Sequence, residues 1–213
     1  MSIAVVGSKF KIEAPNNNKP EYIIIHHALA KHCTIDDIQR WHLDLGWSGI
    51  GYHYFISKDG YIFEGRKEEQ RGGHCKQGDM NSRSIGICLE GCYEDYKKQT
   101  DKDVPAKQIK ALFNLTKHLQ RKYNIPVSNV KRHHDFAPYK LCPGNYFPWE
   151  EFVETLKGEN ILPDIYKHWA KNNIYKVVAA GIMEGFPDGE FKPNLTVTRA
   201  ELATVVANLL DIL

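Results

Sequence analysis

Two histidine pairs and one cysteine are the residues of this chain best suited to chemistry. "EYIIIHHALAKHC" runs three isoleucines into His26 and His27, and "VKRHHDFAPYKLCPG" carries His133, His134 and Cys142. A catalytic zinc takes three protein ligands of the imidazole, thiolate and carboxylate kind and keeps a fourth position for water. His26, His133 and Cys142 together would supply two imidazoles and one thiolate, and a bound dication would favour the ionised thiol. Spacing alone leaves another reading open, in which each histidine is a hydrogen-bonded structural residue and Cys142-Pro143 is only a turn.

The elements that must position these groups follow from hydrophobic patterning. Tyr22 to Ile25 is a short β-branched run bounded by turn formers, which predicts a buried strand with His26 at its C-terminal end. Strand alternation sends His27 to the opposite side, as a structural residue. His32 and Cys33 follow the strand and are expected at the surface or at the start of the next helix. "TIDDIQRWHLDLG" places Ile35, Ile38, Trp41 and Leu45 at helical spacing, with Thr34 as cap and Gly46 as stop. "GYHYFISKDGYIFEGR" predicts a hairpin turning at Lys58-Asp59-Gly60, in which Tyr52 opens a strand and His53 points away from it as a packed residue. "SIGICLEG" is a second buried strand. "PAKQIKALFNLTKHLQRKYN" is an amphipathic helix with Ile109, Leu112, Phe113 and Leu119 on its apolar stripe. Alternating strands and helices predict an α/β domain with a mixed central sheet flanked by helices.

Size and charge narrow the classes. The chain has 213 residues, 42% apolar and 25% charged, enough for one main core and a small appendage. A net charge of +2 excludes the basic excess of a nucleic-acid binder, and the part before Glu159 is the more basic of the two. No stretch approaches the roughly 18 apolar residues of a membrane span, and "MSIAVVGSKFKIEAPNNNKP" lacks a leader-like apolar core. The expectation is a chain made in the cytoplasm without a signal peptide. Five cysteines, an odd number, leave at least one thiol free or on a metal.

Four separated segments, "IIIHHALAK", "QRWHLDLGWSGIGYHYFISKDGYIFEGR", "GGHCKQGDMNSRSIGICLEG" and "HHDFAPYKLCPG", give residues 20 to 155 a resemblance to the zinc amidases of the phage lysozyme type, kin of the peptidoglycan recognition proteins. The resemblance implies zinc on His26, His133 and Cys142. It implies further catalytic roles for Tyr52 and Lys140, and a substrate contact at His74. Tyr139 resembles a one-residue insertion before Lys140. Asp135 is a candidate acceptor for a ligand imidazole. The implied substrate is peptidoglycan, at the amide joining the lactyl group of N-acetylmuramic acid to L-alanine. Zinc would lower the pKa of bound water to about 7 and polarise the carbonyl, with Tyr52 on the attacking water or the developing tetrahedral centre and Lys140 facing the oxyanion. Recognition without cleavage is the rival reading; the presence of Cys142 favours catalysis. A nucleic-acid zinc module lacks a fourth protein ligand.

"LKGENILPD" reads as a linker, dividing the chain at 1–158 and 159–213. The second part predicts a small all-α helical hairpin around "FPDGEFKPNLTV", with Pro187-Asp188-Gly189 as a turn and Thr198 and Glu201 as a capping box. "HWAKNNIYKVVAAGIMEGFPDGEFKPNLTVTRAELATVVANLL" resembles one surface-layer homology motif. That implies binding to secondary cell-wall polysaccharide, with Arg199 engaging an acidic group. Its apolar residues exceed what two short helices can hide, so the core is expected to be completed either by docking on the first part of the chain or, the favoured reading, by a homotrimer. Together these features resemble a phage or prophage lysin acting on the wall after release.

Overall fold

The computed structural model describes residues 3–157, 163–165, 168–186 and 190–211, and the chain divides into two compact units, Met1–Lys157 and Gly158–Leu213. In the first unit the strands are β1 (Val5–Val6), β2 (Tyr22–His27), β3 (Tyr54–Ile56), β4 (Ile62–Glu64), β5 (Ser84–Leu89) and β6 (Val130–Arg132). They form one sheet in the order β1-β4-β3-β5-β2-β6. β3 and β4 are antiparallel, the hairpin expected at Asp59-Gly60, and the other neighbouring pairs are parallel. Helices α1 (Ile35–Asp44), α2 (Ala106–Tyr123), α3 (His133–Phe136) and α4 (Trp149–Lys157) complete the unit. The architecture is the mixed, helix-flanked sheet that the alternating pattern implies.

β2 lies between β5 and β6, and Ile23, Ile24 and Ile25 are wholly buried, as expected of a parallel strand covered on both faces. Ile23 and Ile25 stand in register with Ile85 and Ile87, while Ile24 and His26 stand in register with Gly86 and Cys88 on the other face. α2 starts behind Pro105, buries Ile109, Leu112, Leu115 and Leu119, and ends at Asn124 in the left-handed conformation. Full burial of a side chain such as Leu112 contributes about 1.5–3 kcal/mol.

α1 carries the expected capping box: Thr34 accepts from the Asp37 N–H and the Asp37 carboxylate accepts from the Thr34 N–H. Only its first turns reach the core, through Ile35 and Ile38. Trp41 and Leu45 are exposed, so the predicted stripe is correct for half the helix. Cys33 stands at the start of the helix, one of its two expected places, but not at the surface: it is buried in one cluster with Ile35, Ile38, Ile50, Phe55 and Cys88. As the residue before the cap it packs with Ile38 at the fourth helical position, a hydrophobic staple. His32 is exposed, as expected.

The second unit contains α5 (Lys171–Ala179) and α6 (Arg199–Leu210). Ile165 and Ile174 form its small buried cluster, edged by Tyr175, Val178 and Phe191. The Asp164 carboxylate accepts the N–H groups of Phe191 and Lys192 at 2.9 and 2.6 Å. Thr198 and Glu201 cap α6 reciprocally. No residue of α6 is buried, and Leu202, Val206 and Leu209 are exposed, as is Trp169. Residues 158–162 of the linker and the Pro187-Asp188-Gly189 turn lie outside the described residues.

Candidate metal centre and cleft

Sheet register builds the centre. Ile25 pairs with Arg132 at the end of β6, and the chain turns there into α3. His133, the next residue, therefore falls beside His26, the residue after Ile25, with ring centroids 4.5 Å apart. The loop after α3 returns Cys142 to the same place: the His134 N–H donates to the Cys142 carbonyl at 2.9 Å, and Cys142 Sγ lies 3.7 Å from His26 Nδ1. Donor atoms of His26, His133 and Cys142 all lie within 4.8 Å of one another, and all three residues are buried. Zinc bonds of about 2.0–2.3 Å would separate tetrahedral ligand atoms by roughly 3.3–3.8 Å; the 3.7 Å from His26 Nδ1 to Cys142 Sγ lies in that range, and a donor set confined within 4.8 Å fits the ion with a small contraction.

Burial sets the protonation states. It pushes His26 well below the ordinary imidazole range, helped by the neighbouring His133, and lowers His133 to about 4, with Lys140 adding to the effect. Both rings are neutral, the form that binds a cation. Burial raises the Cys142 thiol to about 12, against a hydrogen bond from the His27 backbone that lowers it. An ionised Cys142 thus calls for a cation beside it.

A cleft of about 610 Å³ opens onto this centre, reached through His133 and walled by Trp47, Arg71, His74, Tyr139 and Lys140. Lys140 is exposed, at the cleft rim, and its charge acts on His26, His133 and Cys142. Its loop is held from behind, where His134 Nδ1 meets the Lys140 carbonyl at 2.6 Å. Tyr139 accepts a hydrogen bond from Gln77 Nε2 at 2.8 Å, joining the Lys140 loop to the opposite lip.

Tyr52 precedes β3 instead of opening it. Its ring stands 5.1 Å from that of His26. Burial raises its hydroxyl well above the ordinary phenol range, with the neighbouring Cys88 and Cys142 thiols adding to the effect. His74 lines the cleft, yet it is buried and its nitrogens face protein: Nδ1 is 3.0 Å from His26 Nε2 and Nε2 is 3.5 Å from Ser84 Oγ. Asp135 is a correction. Its carboxylate is committed to Arg132, accepting from the backbone N–H at 2.9 Å and from the guanidinium at 2.8 and 3.0 Å, because α3 begins at His133 and turns its third residue back onto its own cap. His27 lies on the other face, where Nδ1 accepts the Tyr93 N–H at 3.0 Å. His53 is wholly buried, with Nδ1 accepting the Gly86 N–H at 3.0 Å.

Sequence patterning missed two residues here. His42 Nδ1 accepts the Gly51 N–H at 2.9 Å, and its ring lies 4.6 Å from Trp47 and 5.6 Å from Tyr52, propping the cleft wall. Asn81 Oδ1 accepts the N–H groups of both His74 and Cys75. The "WHLDLGW" string holds His42 and Trp47 but gives no sign that one supports the other.

A mixed α/β sheet that delivers a buried imidazole, imidazole and thiol trio to an open cleft has the donor set of a metal-dependent hydrolase. The chain belongs to the N-acetylmuramoyl-L-alanine amidase family, whose model matches residues 16–145; residues 162–203 match the S-layer homology domain. The endolysin of Enterobacteria phage K11 is 31% identical over 157 residues, 72% of this chain and 97% of that protein. The endolysin of Enterobacteria phage T3 is 35% identical over 136 residues, 62% of this chain and 86% of that protein. Among solved structures, the N-acetylmuramoyl-L-alanine amidase LysC from Clostridium intestinale URNW superposes with a TM-score of 0.66 at 35% identity, covering 74% of this chain and all of that one. Peptidoglycan amide hydrolysis and cell-wall binding are accordingly the activities of this chain. No helix among the described residues is long and apolar enough to cross a membrane.

Proposed function

We propose that residues 1–158 hydrolyse the amide between the lactyl group of N-acetylmuramic acid and L-alanine, with zinc held by His26, His133 and Cys142. The observation that carries this reading is the convergence of the three buried donors beside Lys140 at the cleft. Zinc in that position supplies Lewis acidity, which activates water near neutral pH and polarises an amide carbonyl. Lys140 places a cation where the carbonyl oxygen gains charge, worth about 2.7–4 kcal/mol for a well-aimed donor. Tyr52, beside His26, orients the attacking water. The walls between Trp47 and Tyr139 hold the scissile bond in place. Cleavage of purified cell walls, followed by new L-alanine amino termini, tests the reading: release must stop on chelation and return with zinc. Wall binding with no new amino termini would make the chain a recognition module instead.

Residues 159–213 form the wall anchor. Arg199 opens α6 at the surface, where its guanidinium can engage an acidic group of a secondary cell-wall polysaccharide bidentately. The exposed Leu202, Val206 and Leu209 support stacking of this unit with two further copies, because repeat units of this kind finish their cores on neighbours. The enzyme acts on the wall after release from the cytoplasm.

A further inference from the structure

His74 has no role in the hydrolysis as described, yet the chain is shaped around its ring. A Cβ at Gly86 would lie 2.5 Å from His74 Cδ2, and one at Gly72 would lie 2.6 Å from the same atom. Neither glycine has a positive φ. The absence of a side chain is therefore what both positions supply, Gly86 doing so in the middle of β5, where glycine weakens a strand. Asn81 fixes the backbone on either side of the ring by accepting the N–H groups of His74 and Cys75. A histidine clamped this closely is held in one orientation.

Hydrogen-bond polarity then runs along the line from Ser84 to His26. The Ser84 hydroxyl donates to the Met80 carbonyl at 2.6 Å, so its oxygen offers His74 Nε2 only lone pairs, and the Ser84 backbone is a further acceptor for that ring. Nε2 of His74 therefore carries the hydrogen. With Nε2 protonated in a neutral ring, Nδ1 is an acceptor, and the group 3.0 Å from it is His26 Nε2. His26 in turn carries its hydrogen on Nε2, which leaves the Nδ1 lone pair on the side of Cys142, 3.7 Å away.

We propose that His74 is a positioning residue: clamped between Gly72 and Gly86, it accepts the Nε2–H of His26 and so keeps the His26 Nδ1 lone pair turned toward the metal centre. The partner on the far nitrogen of a ligating imidazole selects which nitrogen binds, and removing such a partner costs about 10–100-fold in metal affinity. The metal half of this proposal rests on the zinc reading above; the tautomer half does not. Nitrogen-15 NMR of histidine-labelled, metal-free protein reads the tautomer, and competition with a chelating dye reads the zinc dissociation constant. Wild type is expected to show His26 with hydrogen on Nε2. His74→Ala should lose that tautomer and bind zinc 10–100-fold more weakly. His74→Asn, whose Oδ1 stands in for Nδ1 as acceptor, should recover both to within about threefold, a rescue that mere filling of space would not give. Wild-type His26 with its hydrogen on Nδ1 would overturn the proposal whether or not any variant folds, and so would His74→Ala with zinc affinity within twofold of wild type. Wild type that binds no zinc while showing the Nε2–H tautomer would overturn the zinc reading and support the hydrogen-bond chain.

Discussion

Replacing Cys142 by alanine should uncouple the amidase unit from its metal. In wild type, zinc present at a thousand times its dissociation constant stabilises the folded state by about 4.1 kcal/mol. The unit that holds the trio spans Met1–Lys157, and at that size each kcal/mol moves the melting temperature by about 2–4 °C. Chelation should therefore lower the wild-type melting temperature by about 8–16 °C. Cys142→Ala removes the one donor that can carry negative charge, leaving two neutral imidazoles that burial already holds uncharged. Its chelator shift should fall below about 2 °C, and its dialysed zinc content should fall to background. His27→Ala supplies the contrast, since its ring faces Tyr93 and Glu94 on the other side of the sheet. It should keep full zinc while losing about 1–3 kcal/mol through the orphaned Tyr93 N–H. Calorimetry with and without chelator, alongside elemental analysis, makes both measurements. Stoichiometric zinc in Cys142→Ala, with the wild-type chelator shift intact, would refute the ligand set.

Lys140→Ala should keep zinc and fold but lose about 10²- to 10³-fold in turnover on cell walls; unchanged turnover would mean that the loop tied to Gln77 through Tyr139 holds the ammonium away from the substrate. Glu68 is buried, which by itself raises its carboxyl, but hydrogen bonds from Lys122, Tyr123 and Tyr54 outweigh burial and leave it lowered. Its stabilisation is therefore complete above the unfolded value near 4.5 and lost as pH falls through the lower folded value. Glu68→Gln should cost about 2–3 kcal/mol at pH 7 and flatten the loss of stability below pH 4.5, read from urea midpoints across pH; an unaltered pH profile would contradict this. Sedimentation should show the intact chain as a trimer and a version ending at Gly158 as a monomer, while two monomers would dismiss assembly through the C-terminal unit.

Position marked the trio only as candidates, with His26 at the end of an apolar run, His133 directly after a strand-like pair and Cys142 before Pro-Gly; it was the family resemblance that singled them out as a set. What escaped was anything that depends on where a short element begins. Asp135 became a cap because α3, only four residues long, starts at His133, and no periodicity can reveal a helix of one turn. Cys33 went inside for a similar reason. Its position before a capping threonine marks it as half of a staple, a signal present in "CTIDDI" that placement at the start of the helix does not by itself convert into burial. Trp41 and Leu45 keep helical spacing without meeting a partner, since periodicity describes one helix and burial needs two surfaces. The partner of His74 lies 48 positions away in sequence. Its sign was the glycine at position 86, an odd choice within "SIGICL".

The paired histidines show why sheet register, more than the residues themselves, decides chemistry here. His26 and His27 are chemically identical, and a slip of one residue in β2 would exchange their faces. The same slip would carry Ile23 and Ile25 away from Ile85 and Ile87, with which they are now aligned in full burial, and press them into the equally buried face that holds Gly86 and Cys88. Both faces are buried, so the cost of the slip is misfit rather than exposure: side chains forced into space fitted to other residues cost about 1–3 kcal/mol, a large fraction of a domain's net stability. The apolar residues of β2 thus hold His26 beside His133 and send His27 to Tyr93. Polar replacement at Ile23 or Ile25 would therefore disturb metal binding through the register, although neither side chain shares the face of the site.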